Sequence, residues 1–191
     1  GDTVLQKGDC VKIDYGVHIK GHIGDNALTF EVGNTNNHTE QIKAAKEARD
    51  AAIEVMHPGT PWYKVGAAAA QPSIDAGFQP IRNLCGHQLK PWQLHAGVSI
   101  PSYACGPDNQ GFKGVVEEGG VYAVEPFNTT GKSGLIDSLF LECARLFFSG
   151  VLVYFINQKV KKKTYIIFIS IFLLIISVTG NFKTYLFCPS L

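Results

Sequence analysis

Residues 11–32 restrict the fold more than any other part of the chain. Val11 to Ile19 alternates apolar and polar side chains, the pattern of a strand with one buried face, and His22 to Val32 reads as its returning partner. Only Lys20-Gly21 stands between them, a pair suited to a two-residue turn. Such a turn sets Ile19 opposite His22, Gly16 opposite Asp25 and Asp14 opposite Ala27. Asp14 and Asp25 then share one face of the hairpin as diagonal neighbours, with Cα atoms roughly 7–8 Å apart. The other face of the first strand, Val11, Ile13, Tyr15, Val17 and Ile19, is expected to be core. Two adjacent carboxylates on a face of small residues repel each other unless a cation lies between them, and a bridging carboxylate suits a two-metal centre with ions about 3.5–4 Å apart. On these residues alone, two surface acids on an edge hairpin are the preferred reading.

Further along, Gly33 to Thr39 is a polar, Asn-rich loop suited to capping a helix. Glu40 to Met56 follows as a helix, with Ile42, Ala45, Ala52, Ile53 and Met56 on its apolar stripe and Pro58-Gly59 to stop it. Thr60-Pro61 reads as the cap and first position of a second helix through Lys64 to Ala70, which Pro72 is expected to interrupt. Gly120 to Phe127 reads as one strand. A hairpin, two helices and then strands predict an α+β fold.

Composition matters because it changes along the chain. Residues 1–134 hold all six His, 18 of the 20 Gly and 14 of the 16 acidic residues, whereas residues 135–191 hold 8 of the 12 Phe. The front carries a net charge of −3 and the tail +4, for a total of +1, which argues against a polyanion-binding protein. Two units are therefore expected: a catalytic or binding domain at 1–134 and an apolar tail at 135–191. Within the tail, residues 164–180 just reach the ~17-residue lower limit of a membrane span, and Lys161-Lys162-Lys163 would fit a cytoplasmic anchor. Translation past a frameshift or intron boundary is the reading preferred for this tail. The five cysteines are scattered, with no C-x-x-C pair, so free thiols in a reducing compartment are expected rather than a zinc knuckle or a disulfide framework. Trp62 and Trp92 read as packing residues.

Two more clusters carry chemistry. In Asn83-Leu-Cys-Gly-His87, and eight residues later in His95-Ala-Gly97, an imidazole stands next to or near a glycine, whose freedom of backbone angle lets a loop bring the ring close to a metal. Glu125 lies within Val121-Tyr-Ala-Val-Glu-Pro-Phe127, and a carboxylate in such an apolar strand is costly to bury unless paired or metal-bound.

Taken in order, Ile-Asp14-Tyr-Gly-Val-His, Gly-Asp25-Asn-Ala-Leu-Thr, Pro80-Ile-Arg-Asn-Leu-Cys-Gly-His87, Leu94-His95-Ala-Gly and Tyr122-Ala-Val-Glu125-Pro-Phe resemble the methionine aminopeptidases of the type 2, archaeal-like branch. The likeness covers residues 1–134. It implies the pita-bread fold, two pseudo-symmetric halves around two divalent ions (Co, Mn, Fe or Zn). It further implies that Asp14 is a terminal ligand of one metal, Asp25 bridges both, and His87 and Glu125 bind the other. His95 matches the family's second active-site histidine, a catalytic residue that contacts substrate near the scissile carbonyl. The implied reaction is removal of the initiator methionine from nascent proteins by a metal-bound hydroxide. The implied setting is a cytoplasmic monomer, with the ribosome as a candidate partner, no nucleic acid, and a membrane only if 164–180 is genuine.

Three departures shape the expectation for this chain. A fifth ligand, a glutamate bridging both metals, has no counterpart in the tail, where Glu142 stands alone in Leu141-Glu-Cys-Ala-Arg145. The helical insertion of the type 2 branch does not follow Thr130-Gly-Lys132, and the family's upstream histidine would precede Gly1. The chain is thus expected to be a fragment truncated at both ends, metal-poor, inactive and unstable. A non-catalytic pita-bread module that binds protein or RNA is the alternative, but such a module has no reason to keep Asp14, Asp25, His87 and Glu125 together.

Overall fold

A computed structural model describes residues 4–131 and two short strands at Phe148–Ser149 and Leu152–Phe155. The proposed membrane segment 164–180, Glu142, Cys143 and Cys188 lie outside these residues. Among the described residues no helix is long and apolar enough to cross a membrane, and Cys10, Cys85 and Cys105 are free thiols.

Strands β1 (Cys10–Ile19) and β2 (His22–Glu31) form the antiparallel hairpin in the expected register, with Ile19 opposite His22, Gly16 opposite Asp25 and Asp14 opposite Ala27. Lys20 and Gly21 both take positive φ, 50° and 89°, as a tight turn matched to strand twist requires. Which face turns inward differs from expectation. The supposed core face is open: Ile13 is 45% exposed and its cross-strand partner Leu28 44%. The face carrying Asp25, Ala27 and Thr29 is the buried one, because Ala27 is small enough to let the hairpin close on Leu89 and Ala123. Period-two alternation separates two faces but does not say which of them meets the rest of the molecule.

Helix α1 (Thr39–Val55) follows the expected span. Its N-cap is His38 rather than an asparagine, and that residue's N–H donates across to Glu31 Oε2 at 2.9 Å, so the helix start is tied to the end of β2. Helix α2 (Trp62–Asp75) is capped by Pro61, one residue later than expected, and it runs through Pro72 without stopping. Near a C-terminus a proline costs one hydrogen bond, and packing of Val65, Ala69, Ala70 and Ser73 holds the turn. Gly77 ends the helix instead: its N–H bonds Ile74 O at 2.9 Å, and Phe78 N–H reaches Ser73 O at 2.8 Å. Gly77 adopts φ 84°, and a Cβ there would touch nothing within 4 Å, so Gly77→Ala is expected to cost only the ~1–2 kcal/mol of the left-handed conformation. Urea titration checks this, with Gly77→Asn close to wild type.

The remaining strands form two sheets. One has the order β3 (Gln79–Pro80), β7 (Phe127–Thr129), β8 (Phe148–Ser149); the other has β5 (Ser99–Pro101), β4 (Cys85–Leu89), β6 (Val121–Val124), β9 (Leu152–Phe155). All pairings are antiparallel. The single strand expected over 120–127 is in fact two, because Pro126 offers no N–H to a ladder and the chain changes sheets there. Helices α1 and α2 pack on one another and on strands of both sheets. Between helices and sheets lies the main core, which includes Met56, Trp62, Val65, Ile100, Val116, Tyr122 and Val124, with Trp62 edge-on to Tyr122 at 5.0 Å.

Candidate metal centre

Three side chains from three separate elements converge beneath the hairpin. Asp25 comes from β2, His87 from the middle of β4, and Glu125 from the break between β6 and β7. His87 stands directly opposite Ala123 in the β4–β6 ladder, so Glu125, two residues on, projects from the same face. His87 Nε2 lies 2.8 Å from Glu125 Oε1 and 3.3 Å from Asp25 Oδ2. All three side chains are largely buried, at 10%, 15% and 12% exposure. One ligand atom from each lies within 4.8 Å of the others.

Local structure holds this arrangement. Gly86, next to His87, lies on a regular strand and not in a loop, so its value is the absent Cβ rather than unusual backbone angles: a Cβ there would sit 2.3 Å from Ala123 O. Ser102 Oγ donates to Glu125 O at 2.9 Å and pins the backbone where the strand breaks. Neither residue announces its role in the sequence, since both act through contacts across strands.

His95 lies in the loop after β4, exposed, with its ring 4.3 Å from that of His87 in an edge-to-face contact. Ala96 N–H to Gln88 O (2.8 Å) and Gln88 N–H to Val98 O (3.0 Å) fold this loop back on the strand. The structure therefore places His95 over the buried cluster, open to an incoming ligand. Asp14 shares the face of Asp25 but does not join the cluster. Its carboxylate is 49% exposed and is held by Lys12 Nζ at 2.5 Å. Lys12 was not singled out from sequence, although period two on β1 puts it on the same face. Trp92 packs on the hairpin turn and not in the core: it is 70% exposed, at φ 65°, with its indole against Gly21 and 4.8 Å from His18. Trp62, by contrast, is core.

Two buried carboxylates around one imidazole suit a divalent cation. Cis ligands bonded at about 2.0–2.2 Å stand roughly 3.0–3.4 Å apart, close to the separations around Nε2. Oxygen and imidazole donors match Mn, Fe, Co or Zn. Without an ion, burial opposes charge on His87, but its hydrogen bonds to Asp25 and Glu125 and their negative charge prevail and lift its pKa from 6.5 to about 10. The folded state thus binds this proton more tightly than the unfolded state. That stabilisation is complete below pH 6.5 and lost as pH rises to about 10. Chelator-treated protein is expected to lose a few kcal/mol across this window, measured by urea unfolding at successive pH values, whereas His87→Gln should show a flatter profile.

The comparisons with known proteins agree with this geometry. Residues 1–157 match metallopeptidase family M24. The chain is 45% identical over 135 residues to a methionine aminopeptidase of Pyrococcus horikoshii, an alignment that covers 71% of this chain and 44% of that protein. The chain therefore spans less than half the length of the curated relatives it matches. Among solved structures, the methionine aminopeptidase of Rickettsia prowazekii superimposes with a TM-score of 0.63 at 23% identity, over 81% of this chain and 61% of that one. The X-Pro aminopeptidase of Thermotoga maritima gives 0.61 at 17% identity, over 83% and 40%. These two likenesses carry the pita-bread fold, shared by enzymes named for different substrates. With most of its length matched and a buried Asp–His–Glu cluster under its hairpin, the chain belongs to metallopeptidase family M24.

Proposed function

We propose that this chain carries the metal-binding half of a methionine aminopeptidase and holds one divalent ion through Asp25, His87 and Glu125. The observation behind this reading is the convergence of those three side chains, His87 buried and the two carboxylates partly so, within 4.8 Å. A bound ion would polarise the scissile carbonyl and acidify the attacking water. The chain's own residues do the rest. Asp25 and Glu125 supply the negative charge that offsets the ion. His95, exposed beside His87, is placed to hydrogen-bond the substrate next to its scissile carbonyl. Likeness to the Pyrococcus horikoshii protein supports an N-terminal methionine as substrate. With it comes a cytoplasmic monomer working on nascent chains at the ribosome. Asp14, engaged by Lys12, stands ready as a ligand for a second ion rather than the first.

The test is a calorimetric titration of the 191-residue chain with Mn²⁺, followed by an assay of methionine release from Met-Ala-Ser. One ion per chain is expected, with slow release that chelation abolishes. Failure to bind Mn²⁺, Co²⁺, Fe²⁺ or Zn²⁺ would overturn the reading in favour of a binding module without metal.

A further inference from the structure

We propose that the indole of Trp92 and the imidazole of His18 form a platform for the substrate chain beyond its first peptide bond, and so select for peptides longer than two residues. This inference rests on the metal-centre reading above and extends it to the substrate. Lys90 to Gln93 is a tight turn, closed by Gln93 N–H to Lys90 O at 2.9 Å and Lys90 N–H to Gln93 O at 3.0 Å. Pro91 fills its first central position and Trp92 its second, at φ 65°, where glycine or asparagine is the usual occupant. A tryptophan there is strained, and burial does not offset the strain, because the residue is 70% exposed. The indole spreads instead over the hairpin tip. It lies 4.8 Å from the His18 ring and leaves no room for a Cβ on Gly21, and Trp92 N–H donates to Gly21 O at 2.9 Å.

What this pair can do follows from its place beside the cluster. His18 is paired with Ile23 and Gly16 with Asp25, so His18 and Asp25 are diagonal neighbours on one face of the hairpin, with Cα atoms roughly 7–8 Å apart. His95, three residues beyond Trp92, rests on the His87 ring at 4.3 Å. A closed path therefore runs from Trp92 to His18, across the hairpin to Asp25, on to His87 and His95, and back along the chain to Trp92. Trp92 and His18 form the side of this path nearest the hairpin tip, and both are exposed. An extended peptide advances about 3.3 Å per residue. With the scissile carbonyl over the cluster, its second to fourth residues come within reach of the platform. An exposed indole offers a flat apolar face to peptide planes and side chains alike, so it selects for length rather than for one side chain.

The experiment assays release of methionine from Met-Ala and Met-Ala-Ser-Leu by the Mn²⁺-loaded full chain and its Trp92→Gly and Trp92→Phe variants. Both peptides are amidated, so that no terminal carboxylate distinguishes them at the exposed Lys20 and Lys90. Glycine suits the turn and removes the ring, whereas phenylalanine keeps an aromatic face. In the wild type and Trp92→Phe, KM for the longer peptide is expected to be about tenfold lower than for Met-Ala at similar kcat, the range of one good aromatic contact. In Trp92→Gly that advantage should vanish, with Met-Ala unaffected. Fluorescence gives a readout without turnover: Trp62 is buried and emits at short wavelength, so the long-wavelength emission of the metal-free chain reports Trp92. Met-Ala-Ser-Leu is expected to shift that emission to the blue and Met-Ala to leave it unchanged. An equal loss for both peptides in Trp92→Gly would overturn the platform and show a clip between loop and hairpin. A KM independent of length in the wild type, or an unmoved emission, would overturn it too, while Mn²⁺ binding and release from Met-Ala would leave the metal-centre reading standing. Absence of Mn²⁺ binding would overturn that reading and the platform with it.

Discussion

His87→Ala is expected to abolish divalent-metal binding and to destabilise the metal-free chain by about 3–5 kcal/mol, the usual cost of removing one partner from a buried charged cluster. The reason lies in what remains. Asp25 and Glu125 have carboxylates 12% and 15% exposed, and each faces the His87 Nε2 position from within 3.3 Å. Deleting the imidazole removes their common counter-charge and leaves two like charges buried side by side. Urea unfolding at pH 7 measures the deficit, and an equal deficit in His87→Ala with and without Asp25→Asn would mean that the loss is one of packing and not of charge. Metal affinity gives a second readout: a decrease of at least about a hundredfold is expected, beyond what loss of a supporting partner produces. Asp25→Asn in the His87→Ala background should recover much of the stability and none of the metal binding.

Gly86→Ala is expected to cost about 3 kcal/mol, at the upper end for overpacking, and to weaken metal binding by at least about tenfold. A Cβ at this position would lie 2.3 Å from Ala123 O and 3.3 Å from Glu125 N. Both are backbone atoms of the neighbouring strand and cannot swing away as a side chain would. Strands β4 and β6 must move apart at the point where one carries His87 and the other leads into Glu125, so stability and ligand spacing suffer together. Gly97→Ala, nearby in sequence and with nothing within 4 Å of its added Cβ, should cost only the ~1–2 kcal/mol of its left-handed φ of 90° and leave metal binding unchanged. Thermal melts combined with Mn²⁺ titration of both variants would separate the two cases. Wild-type affinity in Gly86→Ala would show that the β4–β6 spacing does not set the site.

Several parts of the site were legible from residue order alone. Alternation and a two-residue turn gave the hairpin register, since turn length and strand period leave no other pairing. Glu125 stood out as a carboxylate in an apolar strand, and it proved to be buried against His87. The helix at 39–55 needed only its apolar stripe and the Pro-Gly stop. Other readings failed for a shared reason. Pro72 looked like an interruption because propensity weighs the lost hydrogen bond and not the packing that compensates for it. Residues 120–127 looked like one strand because apolar character does not reveal a change of sheet.

Local chemistry along the chain thus determined which residues can form a hairpin, which helices form, and which carboxylates and imidazoles are able to bind a metal. These follow from turn geometry, side-chain period and the cost of burying charge, all of which act over a few residues. Tertiary structure alone decided that the acid-bearing face of the hairpin turns inward. It also decided that Asp25 meets His87 and Glu125 while Asp14 is left to Lys12, and that His95 lies over the cluster. Those outcomes depend on how closely Ala27, Leu89 and Ala123 let separate elements approach, a fit between surfaces distant in sequence that no local pattern records.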